Sequence, residues 1–179
     1  PQIGMDAVVL GVGAVGLDVV QVLRARGVRN IIAIARRAFQ GAKALQVGAK
    51  HVVSADARDI AERIRSLTNG RGAHQVYECV GGNAETLDLA LDCAAIGGKI
   101  VRVGCATKRA ELDVQKLLFK EAQLLPSNSY GLFKGVSEFA AALELLETGA
   151  VDHRALITGL YAPENFREAI SDMIDKGKR

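Results

Sequence analysis

A chain of 179 residues with 49% hydrophobic and 24% charged side chains has the length of one domain and the composition of a globular fold, which excludes disorder as its main state. Its 23 lysines and arginines nearly cancel 20 aspartates and glutamates, leaving +3, and the 4% of aromatic residues includes no tryptophan. This excludes an extended nucleic-acid interface of basic blocks or stacking rings, and any bound anion should be small and locally held.

Three cysteines without a C-x-x-C pair indicate neither a disulfide framework nor a zinc ribbon. No apolar run approaches the roughly 20 residues that span a bilayer, and no signal-peptide pattern opens the chain, so a cytoplasmic setting is expected. Along the chain, the run 7–10 stops at glycines and predicts a strand. Over 15–26 the apolar Val19, Val20 and Leu23 recur at helical spacing, with Gly27 suited to closing the helix. Residues 30–35, apolar on both faces, predict a buried parallel strand. A helix over 38–47 closed by Gly48, a strand over 51–53 and a helix over 57–67 closed by Asn69 and Gly70 follow. Next come a strand over 75–80, a helix over 84–95 ended by Gly97 and Gly98, and a strand over 99–103. Beyond Gly104 we expect a short helix over 114–120, a strand over 123–125, a polar loop over 127–131 and a helix over 136–146. An apolar run over 155–160 then precedes a helix over 163–175, with Pro163 in its first turn. This alternation predicts an α/β fold, a doubly wound parallel sheet with helices on both faces.

Between the first strand and helix stands Gly11-Val12-Gly13-Ala14-Val15-Gly16, a G-x-G-x-x-G. Gly11 permits the sharp turn, Gly13 carries no Cβ to keep a pyrophosphate off the backbone, and Gly16 lets the helix pack close on the strand. The helix N-terminus then faces the phosphates with unpaired N–H groups. In its β-α-β setting the motif reads as the dinucleotide turn of a Rossmann-type sheet. An NAD site usually ends its second strand in an acid that holds the ribose 2′-hydroxyl. Here that position is Ala35, followed by Arg36 and Arg37. Such a pair is ordinarily a solvated surface turn, but beside the missing acid it suits a 2′-phosphate, with charge-assisted hydrogen bonds of about 1.5 to 3 kcal/mol each. NADP(H) is therefore preferred, with NAD(H) left open.

Four stretches, VVLGVGAVG at 8–16, ALQVGAKHVV at 44–53, GRGAHQVYECVGG at 70–82 and GGKIVRVG at 97–104, resemble in order and spacing the nucleotide-binding domain of the medium-chain, zinc-type alcohol, polyol and threonine dehydrogenases. The segments 127–130, 156–158 and 163–169 resemble that family's return from the nicotinamide side toward its catalytic domain. A quinone-reductase-like member would more often show A-x-x-G-x-x-G, so the zinc branch is favoured. The resemblance implies that Gly13, Ala14 and Val15 lie under the pyrophosphate, with Ala35, Arg36, Arg37 and Gln40 around the adenosine ribose. It implies that Cys79, Val80 and Gly81 flank the adenine and ribose, while Val103, Gly104, Cys105, Asn128 and Tyr130 approach the nicotinamide. Two positions depart from the family: Ala35 replaces the acid, and Gly41 replaces an apolar helix residue at a cost of about 1 kcal/mol relative to Ala.

In that family the zinc ligands and proton relay sit on a catalytic domain that mostly precedes the glycine turn. Residues 1–160 are thus expected to form the dinucleotide domain, and 161–179 a C-terminal helix leading toward a catalytic domain absent from this chain. No catalytic or metal-ligating residue is expected here, zinc being reserved for the absent domain, and the chain alone is expected to be inactive. The implied function is that of an NADP(H)-binding domain presenting nicotinamide for hydride transfer to or from a small alcohol or carbonyl substrate. The alternatives are a non-catalytic dinucleotide-binding redox sensor and an NAD-preferring dehydrogenase domain; a methyltransferase fits less well because its glycine turn is spaced differently. No nucleic-acid or membrane partner is expected, whereas a homo-oligomer joined along a sheet edge within 101–125 is. His51, His74 and His153 are scattered without ligand spacing. Cys93 reads as a small core residue, Cys79 and Cys105 as partly accessible thiols at strand ends, and Glu78 as a structural carboxylate bonding loop amides.

Overall fold

Strand β1 (Asp6–Leu10) is buried along its whole length because its alternating side chains enter two different cores, Val8 and Leu10 on one face and Ala7 and Val9 on the other. In β2 (Asn30–Ala35), Ile32 and Ile34 join the first core, and Ile31, Ala33 and Ala35 the second. The computed structural model describes residues 4–82, 86–128, 130–133 and 135–174. The expected helix start at Ala84, Ser129 of the polar loop and the expected helix end at Asp175 lie outside the described residues.

Four more strands complete one sheet: β3 (His51–Ser54), β4 (Ala73–Glu78), β5 (Ala94–Arg102) and β6 (Gln123–Pro126). The spatial order is β3-β2-β1-β4-β5-β6, and every neighbouring pair is parallel. Helices α1 (Ala14–Ala25) and α2 (Ala38–Val47) bring Leu17, Val20, Leu23, Ala44 and Val47 onto the Ala7/Val9 face. Helices α3 (Ile60–Leu67) and α4 (Leu87–Cys93) bring Ile60, Ile64, Ala90 and Leu91 onto the opposite face. The architecture is the expected Rossmann-type doubly wound sheet. Strand order reverses where β1 meets β4, which places a crevice at the carboxyl ends of those strands.

The chain continues with α5 (Val114–Phe119), a hairpin of β7 (Leu132–Phe133) and β8 (Val136–Ser137), α6 (Glu138–Glu147), 3-10 turns Arg154–Leu156 and Pro163–Asn165, and α7 (Phe166–Ile174). Among the described residues none after Ile100 is buried, so both cores belong to the first hundred residues. Three details differ from expectation. Gly97 and Gly98 do not end a helix: α4 stops at Cys93, and the glycines lie in an irregularity of β5 where the pairing steps from Ala73–Ala94 to Gln75–Lys99. Gly97 has φ +70°, and a Cβ on Gly98 would stand 2.8 Å from the Ala95 carbonyl oxygen, so the kink needs glycine. The strand expected over 75–80 ends at Glu78, freeing Cys79 and Val80 as a loop. Residues 136 and 137 pair with β7 instead of opening α6, whose N-cap is Ser137, its hydroxyl accepting from the Ala140 N–H at 3.1 Å.

One long-range anchor has no counterpart in the sequence pattern. The Lys120 ammonium donates to the carbonyl oxygens of Leu91 (2.7 Å), Asp92 (3.1 Å) and Ala94 (2.7 Å), adding a charged donor at the end of α4, where Leu91 also accepts from the Ala94 N–H. Burial lowers the Lys120 pKa from its ordinary value, and the nearby Asp92 opposes that shift. Lys120→Met is expected to cost about 1 to 3 kcal/mol, seen as a lower urea midpoint at unchanged slope. An unchanged midpoint would mean that water serves these carbonyls equally well.

Candidate functional site

The carboxyl rim of the sheet is built first by the glycine turn. Gly11 adopts φ +86° and donates its N–H to the Ile34 carbonyl at 3.1 Å. A Cβ there would lie 2.7 Å from Val80 Cγ2, so the turn sits against the loop after β4. A Cβ on Gly16 would run into the Gly11 carbonyl oxygen, whereas one on Gly13 would meet nothing within 4 Å. Gly13 is the N-cap of α1 and supplies no side-chain cap, and the first helical turn carries no acid. The leading N–H groups and the positive end of α1 therefore face outward past the bare Gly13, with Ala14 and Val15 exposed beside it.

Next to it, Ala35, Arg36, Arg37, Gly41, Val52 and Ser54 line a cavity of about 450 Å³. Neither arginine is in an ion pair among the described residues. Arg37 is the N-cap of α2, without a side-chain cap and without an acid in the first turn, so this second helix start is also open to an anion. Ser54 is in register with Ala35 on the neighbouring strand, and its Oγ accepts from the Asp56 N–H at 3.2 Å. The hydroxyl proton remains available to donate. Gly41 is buried, and a Cβ there would come 2.9 Å from Val52 Cγ1. Its departure from the family pattern thus serves close packing of α2 on β3. Gln40 is half-buried and is not part of this cavity's lining.

On the other side of the crevice two loops are laced together. Cys79 donates its N–H to the Leu10 carbonyl at 2.9 Å, Gly82 to Cys105 at 2.8 Å and Thr107 to Gly82 at 3.1 Å. A Cβ on Gly81 would stand 2.8 Å from the Cys105 carbonyl oxygen, and one on Gly104 would stand 2.5 Å from the Gly81 nitrogen. Only glycines allow this approach. The N–H groups of Val103 and Gly104 both donate to the Glu78 carbonyl, and the Glu78 side chain accepts from the Val80 N–H at 2.8 Å, as expected of a carboxylate that orders loop amides.

Asn128 and Tyr130 follow the end of β6 on the same rim. Tyr130 has φ +70° and is 79% exposed, its ring 5.7 Å from that of Phe139. Cys105 is exposed and Cys79 half-buried. Burial pushes the Cys79 thiol up to about 12, as it does that of buried Cys93, which favours the protonated thiol near neutrality. Sequence reasoning missed Ser54, Thr86 and Arg102. A lone serine at a strand end belongs to no spacing motif, and Thr86 and Arg102 matter only through their contacts with Glu78.

Residues 14–148 match the family model described as zinc-binding dehydrogenase. The chain belongs to that family. It is homologous to the nucleotide-binding domain of zinc-type alcohol, polyol and threonine dehydrogenases, and is a dinucleotide-binding oxidoreductase domain. Sorbitol dehydrogenase of Bacillus subtilis (strain 168) is 29% identical over 170 residues, covering 94% of this chain and 46% of the relative. L-threonine 3-dehydrogenase of Bacillus velezensis is 30% identical over 176 residues, covering 98% and 49%. Alcohol dehydrogenase TADH from Thermus sp. ATN1 superposes with a TM-score of 0.86 at 28% identity, again covering 98% of this chain and 49% of that one. The chain thus spans about half the length of these relatives.

Among the described residues no three His, Cys, Asp or Glu side chains cluster to hold a metal ion, so the zinc in the family's description finds no ligand set in them. Among the same residues no helix is long and apolar enough to cross a membrane. The residues suited to a dinucleotide are the bare Gly13 at the start of α1 and the two arginines at the cavity after β2.

Proposed function

We propose that this chain is the NADP(H)-binding domain of an alcohol dehydrogenase-like oxidoreductase and presents the nicotinamide for hydride transfer to or from an alcohol or carbonyl. The observation that carries the reading is Ala35 at the end of β2, flanked by Arg36, Arg37 and Ser54 around one cavity. An acid at that position would repel a 2′-phosphate; two guanidinium groups and a hydroxyl donate charge-assisted hydrogen bonds to its oxygens. The leading N–H groups of α1 and the bare Gly13 hold the pyrophosphate, the loop 79–82 flanks the adenine and ribose, and the loop 103–107 laced to it carries the nicotinamide half. The nicotinamide, when bound, supplies the hydride acceptor or donor.

The names of the relatives, sorbitol dehydrogenase and L-threonine 3-dehydrogenase, point to a small hydroxylated substrate, a class we carry over to the whole protein. We place the dinucleotide unit in residues 1–160, with 161–179 leading toward a catalytic domain. Supporting this, α7 buries none of its residues and exposes Phe166, Ile170, Met173 and Ile174 at helical spacing. Three free cysteines suit a reducing cytoplasmic setting.

The test is a calorimetric titration of the chain with NADPH and with NADH, repeated on Arg37→Ala. NADPH should bind more tightly, and the variant should lose about tenfold to a hundredfold in NADPH affinity with little change for NADH. Equal or tighter NADH binding would sink the preference, and no binding of either would sink the dinucleotide site.

A further inference from the structure

Glu78 closes β4 as a wholly buried residue, in register with Leu10 of β1 and Arg102 of β5. Its Oε1 accepts from the Val80 N–H at 2.8 Å and from the Thr86 hydroxyl at 2.9 Å. Its main-chain oxygen accepts from Val103 at 2.9 Å and Gly104 at 2.8 Å. One residue therefore holds the loop 79–82 by its side chain and the loop 103–107 by its backbone. The other carboxylate oxygen, Oε2, is buried without a hydrogen bond among the described residues. Arg102 Nε stands 3.9 Å from it, and a Cβ on Gly104 would come within 3.0 Å. A buried carboxylate oxygen is unfavourable unless paired, and the Arg102 guanidinium beside it lies a little beyond hydrogen-bond reach.

We propose that Glu78 is a positioning residue for the nicotinamide half of the cleft and acts through Arg102. As the two loops settle on the dinucleotide, Oε2 takes the Arg102 guanidinium as its hydrogen-bonded partner. That pairing fixes the end of β5, from which Val103, Gly104 and Cys105 follow. The proposal rests on the dinucleotide reading above. It adds a role for two residues that do not line the cationic cavity at Arg36 and Arg37.

The experiment compares two ligands on the full chain: NADPH, which spans both halves of the cleft, and adenosine 2′,5′-bisphosphate, which lacks the nicotinamide half. Glu78→Gln keeps an acceptor for Val80 and Thr86 but removes the charge facing Arg102. It should lower NADPH affinity about tenfold and leave the bisphosphate within about twofold. Arg102→Met should do the same, and the double variant should lose no more than either single one, as coupled partners do. Arg102 is 18% exposed at the rim, so its variant keeps the test open where Glu78→Gln fails to fold. A merely structural role would weaken both ligands together and lower the urea midpoint. That parallel loss, additive single effects or unchanged NADPH affinity would each overturn the proposal. An unmodified chain that binds neither ligand overturns the dinucleotide reading, and this proposal with it.

Discussion

Ala35→Asp is expected to invert the cofactor preference, lowering NADPH affinity by about a hundredfold, or roughly 2.7 kcal/mol, while NADH binds as well or better. A carboxylate at the end of β2 accepts hydrogen bonds from the ribose 2′-hydroxyl of NADH. Facing a 2′-phosphate it meets like charge, which at about 4 Å and an effective dielectric near 20 is worth roughly 4 kcal/mol before screening. It also draws Arg36 and Arg37 into ion pairs, removing the charge that served the phosphate. Ala35 is buried but borders the cavity, and Gly41 beside it carries no Cβ, so the carboxylate reaches the cavity without meeting a side chain on Gly41. Ala35→Asn separates size from charge and should lose far less NADPH affinity. If Ala35→Asp still prefers NADPH, the phosphate does not bind at this corner and the specificity reading fails.

The second large effect concerns the glycine turn. Gly16 lies within α1, where alanine is ordinarily about 1 kcal/mol better than glycine. Here the sign reverses, because the added Cβ would clash with the Gly11 carbonyl oxygen. Backbone cannot yield as a side-chain tip can, so α1 must lift off β1 or the turn must rotate. We expect Gly16→Ala to cost about 3 kcal/mol or more and to abolish dinucleotide binding. Gly13→Ala is the matched contrast, since its Cβ would meet no protein atom within 4 Å. That variant should fold with an unchanged urea midpoint and still lose dinucleotide affinity, because the methyl stands where the pyrophosphate approaches. A Gly16→Ala chain as stable as its parent would show that the turn relaxes easily and that Gly16 is not needed for packing.

Much of the architecture was legible because it is local. The strand over 30–35 and the helix over 38–47 are found with those limits, since an unbroken apolar run and a helical spacing closed by Gly48 depend on neighbours in sequence. The Gly-rich turn was legible for the same reason, its three glycines falling within six residues, although Gly11 also answers to Val80 of the loop after β4. Gly97 and Gly98 misled because glycine ends helices and kinks strands alike; the choice turned on the Ala95 and Ala73 carbonyls that approach Gly98. Gly41 looked like a weak point in its helix until Val52 of another strand was seen to fill the space beside it.

By itself, then, the sequence determined the alternation of strands and helices, the glycine turn and the absence of an acid at position 35, all features written in short-range spacing. Only the tertiary structure decided that β4 lies against β1, and with that order came the rest. It set Glu78 between Leu10 and Arg102, Ser54 beside Ala35, and Lys120 beneath the end of α4. These partners are separated in the chain by whole elements, and no local preference of either residue encodes the meeting. Burial of two apolar faces per strand selects the sheet order, and the sheet order then selects which polar groups must find each other.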